Sequence, residues 1–287
     1  GGGASRAGGL LLVVVALAGI GHRGWSALPS SEITETGPGP LCDAGDADQC
    51  INAGVMADQA GKLDLAAARF SAACDQNSAL ACRNLGYVRG RMEPPDQPGS
   101  MTAHSKACGL GDGRACQAAA EVADVQGDAA TQLAFYRKAC DANYGMGCAN
   151  LGITLAAADA PGPEIFAAQK KGCAADWDQS CLLLSAVVSQ KLPDDTEKAA
   201  ATRQLLTSKC SSKLPMACTA LGVLLDNARG GPRDKPGALE AFETACSGAT
   251  PHPRGCFNAG LLADDPAAAA SHFARACKLG EQLGCDR

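Results

Sequence analysis

At 287 residues, with 46% hydrophobic but only 4% aromatic residues, the chain is long enough to bury a sizeable core but must build it from small side chains. Twenty-five basic residues against 30 acidic ones leave a formal charge of −5, which excludes the basic footprint needed for a nucleic-acid partner or a polybasic membrane patch. Sixteen cysteines are far more than a reducing cytosol supports and point to an oxidising compartment.

In chain order, Arg6 precedes the apolar run Leu10 to Ala18, and small residues follow. This is the anatomy of a secretory signal peptide, with cleavage after Ala18 or Ala27. Its strongly apolar stretch falls well short of the ~20 residues that span a bilayer, so a stable membrane span after cleavage is not expected. Ile20 stands where a lipidated cysteine would have to follow Leu17-Ala18-Gly19. Residues 1–27 are therefore expected to be an export segment, 28–41 a Pro/Gly/Ser-rich flexible linker, and 42–287 the folded array. The expected location is periplasmic or secreted.

The cysteines fall in pairs: Cys42 and Cys50, Cys74 and Cys82, Cys108 and Cys116, Cys140 and Cys148, Cys173 and Cys181, Cys210 and Cys218, Cys246 and Cys256, Cys277 and Cys285. The first cysteine of each pair follows its predecessor by 32, 34, 32, 33, 37, 36 and 31 residues, the period of a helix-turn-helix repeat. A straight helix would hold two cysteines eight residues apart at about 12 Å, beyond the ~7 Å that a disulfide tolerates, so the chain must turn between them. Gly45, Asn77, Gly111, Asn143 and Gly280 stand three residues after a first cysteine, with Asp176 a weaker relative, and supply residues that accept the left-handed conformation ending a helix. The first cysteine thus closes one helix and the second opens the next. Sequence alone leaves connectivity open, but the near-constant short step, set against long steps drifting between 21 and 29 residues, favours pairing within each couple.

After each second cysteine comes a small motif that lets helices approach closely: Asn52-Ala53-Gly54, Asn84-Leu85-Gly86, Asn150-Leu151-Gly152, Ala220-Leu221-Gly222 and Asn258-Ala259-Gly260. Breakers then follow, such as Gly61, Pro94-Pro95, Gly127, Pro161-Gly162-Pro163, Pro193, Gly230-Gly231-Pro232 and Pro266. A second helix with an apolar stripe runs to the next cysteine, as in Phe70 to Cys74, Phe135-Tyr136 to Cys140, Phe242 to Cys246 and Phe273 to Cys277. Seven hairpins are expected from about residue 46 to 278, with Cys285 opening an incomplete eighth unit. The fold class is all-α, an α/α superhelical solenoid.

Two chemistries fit poorly. Structural zinc prefers C-x2-C spacing, which does not occur, and His22, His104, His252 and His272 share no repeat position, so neither a metal nor any other cofactor is expected. Ser105, Ser185, Asp43, Asp75 and Asp141 suit turns, helix ends and solvation better than catalysis.

The elements A-x-x-x-F-x-x-A-C, C-x-x-[G/N] and C-x-N-L-G resemble the Sel1-like repeat family, and specifically its cysteine-stapled branch, the Helicobacter cysteine-rich proteins. The resemblance implies a superhelix like that of tetratricopeptide arrays, with the first helix of each hairpin lining a concave surface. It also implies a secreted or periplasmic location and carries a label of penicillin binding or slow β-lactamase activity. Gln117-Ala118-Ala119-Ala120 and Leu182-Leu183-Leu184-Ser185 depart from the N-L-G motif, and the Cys246–Cys256 couple holds two extra residues, so register shifts are expected there. No Ser-x-x-Lys, His-x-His-x-Asp or His-Glu-x-x-His occurs to supply β-lactamase chemistry. The expectation is a scaffold binding a protein, a peptide or a cell-envelope ligand such as a cell-wall fragment, with β-lactam hydrolysis and a purely structural spacer as alternatives. Tyr87, Arg91, Tyr144 and Trp177 are candidate surface contributors.

Overall fold

The computed structural model describes Cys42 and residues 45–287. The predicted export segment, the linker and Asp43 lie outside the described residues.

Every regular element among the described residues is a helix. In chain order they are α1 (Ala47–Gln59), α2 (Leu63–Asp75), α3 (Ala79–Gly90), α4 (Gln97–Gly109), α5 (Gly113–Val125), α6 (Ala129–Asp141), α7 (Gly145–Ala157) and α8 (Gly162–Ala174). There follow α9 (Asp178–Gln190), α10 (Thr196–Ser211), α11 (Pro215–Asp226), α12 (Lys235–Cys246), α13 (Pro253–Leu262), α14 (Pro266–Lys278) and the short α15 (Gln282–Cys285). Each odd helix packs on the even helix after it to form a hairpin, and each even helix packs on the next odd one. Between α5 and α13, successive odd helices also approach one another more closely than successive even ones.

Capping explains where the even helices begin. Asp96, Asp128, Asp195, Asp234 and Asp265 each accept a backbone N–H of the first turn, and proline occupies the first turn of α4, α8, α12 and α14. The even helices end on left-handed residues: Asn77, Gly111, Asn143, Asp176 and Gly280 have φ between +57° and +92°. The same position in α10 is Lys213, at φ +62°, which residue type conceals in the sequence. Among the expected register shifts, only the Cys246–Cys256 turn differs, with Gly248 one position earlier taking φ +91°. The substituted motifs of α5 and α9 leave their helices in register, because Ala120 and Ser185 are small enough to occupy the buried site that glycine fills elsewhere.

Two alternating contacts build the array. Within a hairpin, a glycine four residues after the odd-helix cysteine receives a large side chain four residues before the even-helix cysteine. Phe70 seats on Gly54, His104 on Gly86, Gln169 on Gly152, Phe242 on Gly222 and Phe273 on Gly260. Between hairpins, each cysteine couple is a disulfide, Cys42–Cys50 through Cys277–Cys285, with Cα atoms 4.3–4.7 Å apart. Small neighbours flank the bridges and keep the helices close: a Cβ on Gly255 would lie 2.6 Å from that of Ala245, and one on Gly284 2.8 Å from that of Ala276. The core is otherwise mostly alanine, so each residue buries little apolar area. Closing an eight-residue loop contributes about 2–3 kcal/mol per bridge in the chain-entropy account, which offsets that thin core.

Candidate ligand-binding face

On an odd helix, 100° per residue places the cysteine, its preceding neighbour and the residues three, four and seven later on the buried side. The residues two before and five and nine after the cysteine share the opposite, more open side, and the residue two after it borders that side, exposed at Asn52, half-buried at Asn84, Asn150 and Asn258, and buried at Ala118 and Ala220. Six of the seven large apolar side chains exposed among the described residues lie on it: Leu80, Tyr87, Val125, Ile153, Leu261 and Leu283. Val55 and Val223 extend the stripe half-buried. Asn52, Asn84, Asn150 and Asn258 sit two residues after their cysteines, exposed or half-buried, and none of their carboxamides makes a hydrogen bond among the described residues. The carboxamides of the motif asparagines are therefore not used for hydrogen bonding within the described fold.

A hollow of about 400 Å³ opens on this side between α1 and α3, lined by Val55, Asp58, Asn84, Tyr87 and Arg91. Arg91 forms an ion pair with Asp58. Tyr87 stands edge-on to His104, ring centroids 4.8 Å apart. Burial holds His104 neutral, its pKa pushed down to about 4 with help from the Arg83 charge and opposition from Asp112. Arg83 is itself paired with Asp112, whose carboxylate also caps α5.

Of the residues singled out in the sequence, the structure brings Tyr87 and Arg91 together in this hollow. Tyr144 and Trp177 instead pack the seams: their Cβ atoms lie against Gly113 and Gly145, and the Trp177 indole N–H is buried. Asp75 and Asp141 are exposed and lie 3.9 and 3.6 Å from Lys106 and Lys171 of the next repeat. The Ser185 hydroxyl is buried and donates to the Leu182 carbonyl at 2.7 Å, and Ser105 faces the Met101 sulfur. Thr219, which the sequence did not flag, meets His252 Nδ1 at 2.9 Å, but it is 2% exposed and cannot reach a substrate. Asp178, also unflagged, lends its carboxylate to the Met216 and Ala217 N–H groups at 2.9 and 2.8 Å, capping α11, which has no side-chain cap of its own. Among the described residues no group of three or more His, Cys, Asp or Glu is gathered for a metal ion, and no helix is long and apolar enough to cross a membrane.

No family model matches the sequence, and no curated protein is similar to it. Solved structures are. A Sel1 repeat protein from Oxalobacter formigenes superposes with a TM-score of 0.59 at 16% identity, over 85% of this chain and 76% of that one. A protective antigen of uropathogenic Escherichia coli described as displaying an SLR fold is similar over 84% of this chain, with 16% identity and a TM-score of 0.44; this chain spans only 63% of its length. A Sel1 repeat protein from Klebsiella pneumoniae matches at 20% identity and TM-score 0.41, over 65% of this chain and 96% of that one. The first of these likenesses establishes the fold, and the fold alone: the described chain is an α/α solenoid of the Sel1-repeat type.

Proposed function

We propose that this protein is an exported scaffold that binds an extended peptide segment of a partner protein along the open side of its odd helices. The observation that carries this reading is the pairing of an exposed apolar stripe with a row of unpartnered asparagines. A carboxamide offers one acceptor and two donors, which complement the N–H and C=O of a peptide unit. Apolar side chains beside each carboxamide would seat alternate side chains of the ligand. Concentrated apolar exposure on a polar molecule marks an interaction surface. Eight bridges that close every cysteine support an oxidising, extracytoplasmic location, as does the signal-like N-terminus.

The test is selection of short random linear peptides on the purified oxidised protein, with the reduced protein as control. Enriched sequences whose binding is lost when Asn84 and Asn150 are replaced by alanine support the proposal. Enrichment no greater than on the reduced control refutes it. The resemblance to the Helicobacter cysteine-rich branch makes a chromogenic β-lactam the natural companion assay, and turnover above a heat-denatured sample would favour the enzymatic alternative.

A further inference from the structure

The position five residues after the odd-helix cysteine reads Val55, Tyr87, Ile153, Val223 and Leu261 in five of the repeats, apolar or aromatic throughout. In α5 it is Glu121, exposed. No ion pair reaches this carboxylate among the described residues: Arg83 is committed to Asp112, and Arg114, exposed in the first turn of α5, is not paired with it. Its one bond comes from behind, where the Gln117 Nε2 donates to Oε1 at 2.9 Å. Gln117 is 5% exposed, and its own oxygen has no partner. Burying a carboxamide with an orphan acceptor is unfavourable. What it accomplishes is to fix the direction of one surface carboxylate.

The substitution is local to this repeat. Here Gln117-Ala118-Ala119-Ala120 replaces the asparagine-containing motif, with Ala118 at the asparagine position and the charge three residues later; Leu183 and Ala220 also replace the asparagine, but Ala186 and Val223 follow them uncharged. The chain has three tyrosines, and all three lie within electrostatic reach of Glu121: burial raises the pKa of Tyr87, Tyr136 and Tyr144, and the Glu121 charge raises each further. Of the three, only Tyr87 is exposed, at the same register position of the preceding odd helix, while Tyr144 packs a seam at the start of α7 and Tyr136 is buried in α6. An exposed carboxylate without an ion-pair partner recognises a cation through a charge-assisted hydrogen bond, and an exposed tyrosine on the same face can add cation–π attraction.

Resting on the peptide-binding proposal, we infer that the bound segment is apolar with one basic side chain, a lysine or arginine that seats on Glu121 on the same face as Tyr87. The excess of acidic residues in the whole chain favours the same sign of ligand.

The experiment uses an N-acetylated random peptide library, so that only side-chain cations are available, selected on the full oxidised protein and on Glu121→Lys. Affinities of a selected peptide are then measured by fluorescence anisotropy for wild type, Glu121→Gln and, as a charge control on an even helix, Glu240→Gln. We expect wild type to enrich peptides with a basic residue among apolar ones and Glu121→Lys to enrich acidic residues in their place. Glu121→Gln should weaken the wild-type peptide about tenfold or more, and Glu240→Gln should not. Selected peptides lacking a basic residue, or a Glu121→Gln affinity within about twofold of wild type, would overturn the inference while leaving the scaffold proposal standing. Failure to select any peptide would remove both.

Discussion

Replacing Gly222 by alanine isolates the contact that closes a hairpin. An added Cβ would lie 2.5, 2.7 and 2.8 Å from Cε1, Cδ1 and Cζ of Phe242. Carbon atoms in contact prefer about 3.5–4.0 Å, so the ring must retreat by about 1 Å. Phe242 is 3% exposed within a cluster of Leu221, Leu225 and Ala238, and has nowhere to go. Overpacking costs about 1–3 kcal/mol and a buried ring with no room to retreat lies in the upper part of that range, about 2–3 kcal/mol, against the ~1 kcal/mol gained by removing a glycine from a helix interior, leaving a net loss of about 1–2 kcal/mol. For a chain of this length that lowers the melting temperature by roughly 2–8 °C. The assay is thermal unfolding of the oxidised protein by circular dichroism. Gly109→Ala serves as control, since a Cβ there meets nothing within 4 Å. Phe242→Leu in the Gly222→Ala background should recover part of the loss, with a coupling of about 1 kcal/mol or more in the double-mutant cycle. The reasoning fails if Gly222→Ala melts at or above wild type, or if the two substitutions are additive.

Three further outcomes follow from the same geometry. His104 binds its proton with a pKa of about 4 when folded and 6.5 when unfolded, so stability is fully present above pH 6.5 and falls as pH drops toward 4, by up to about 3 kcal/mol; His104→Phe, the residue type at the equivalent positions 70, 242 and 273, should remove that part of the difference between urea midpoints at pH 7 and pH 4, and an unchanged difference would contradict the assignment. Lys213→Gly should stabilise by about 1 kcal/mol, because φ +62° strains a lysine but not a glycine, whereas Gly111→Ala at φ +90° should destabilise by a similar amount, both read as shifts in melting temperature. Replacing Cys140 and Cys148 together by alanine should cost about 2–3 kcal/mol, and full reduction should abolish the helical signal; a reduced protein that melts near the oxidised one would show that the alanine core suffices.

The architecture was legible because the cysteines are both structural and countable: their period set the repeat, and the impossibility of bridging a straight helix set the turns. Glycine and asparagine announced the left-handed positions, but Lys213 adopts the same backbone with a residue type that carries no such signal. Gln169 and His104 likewise hide among phenylalanines as the side chains that fill glycine holes, visible only once the position four before the cysteine is aligned across repeats. The binding face was less legible. Tyr144 and Trp177 are the conspicuous aromatics, yet packing against Gly113 and Gly145 draws them into the seams. The asparagines read as part of a packing motif, and the structure shows their carboxamides without a hydrogen bond among the described residues, at the border of the more open side. Glu121 drew no notice in a sequence with 30 acidic residues; only its register against Tyr87 and Ile153 sets it apart.

The most direct test of the peptide-binding account is the affinity of a selected peptide, by isothermal titration, for the protein in which Asn52, Asn84, Asn150 and Asn258 are all replaced by alanine. These side chains make no hydrogen bond within the described fold, so melting should change little while binding falls by about tenfold or more as several hydrogen bonds to the ligand backbone are lost. Unaltered affinity in a protein that melts like wild type would place the ligand elsewhere and contradict the central claim.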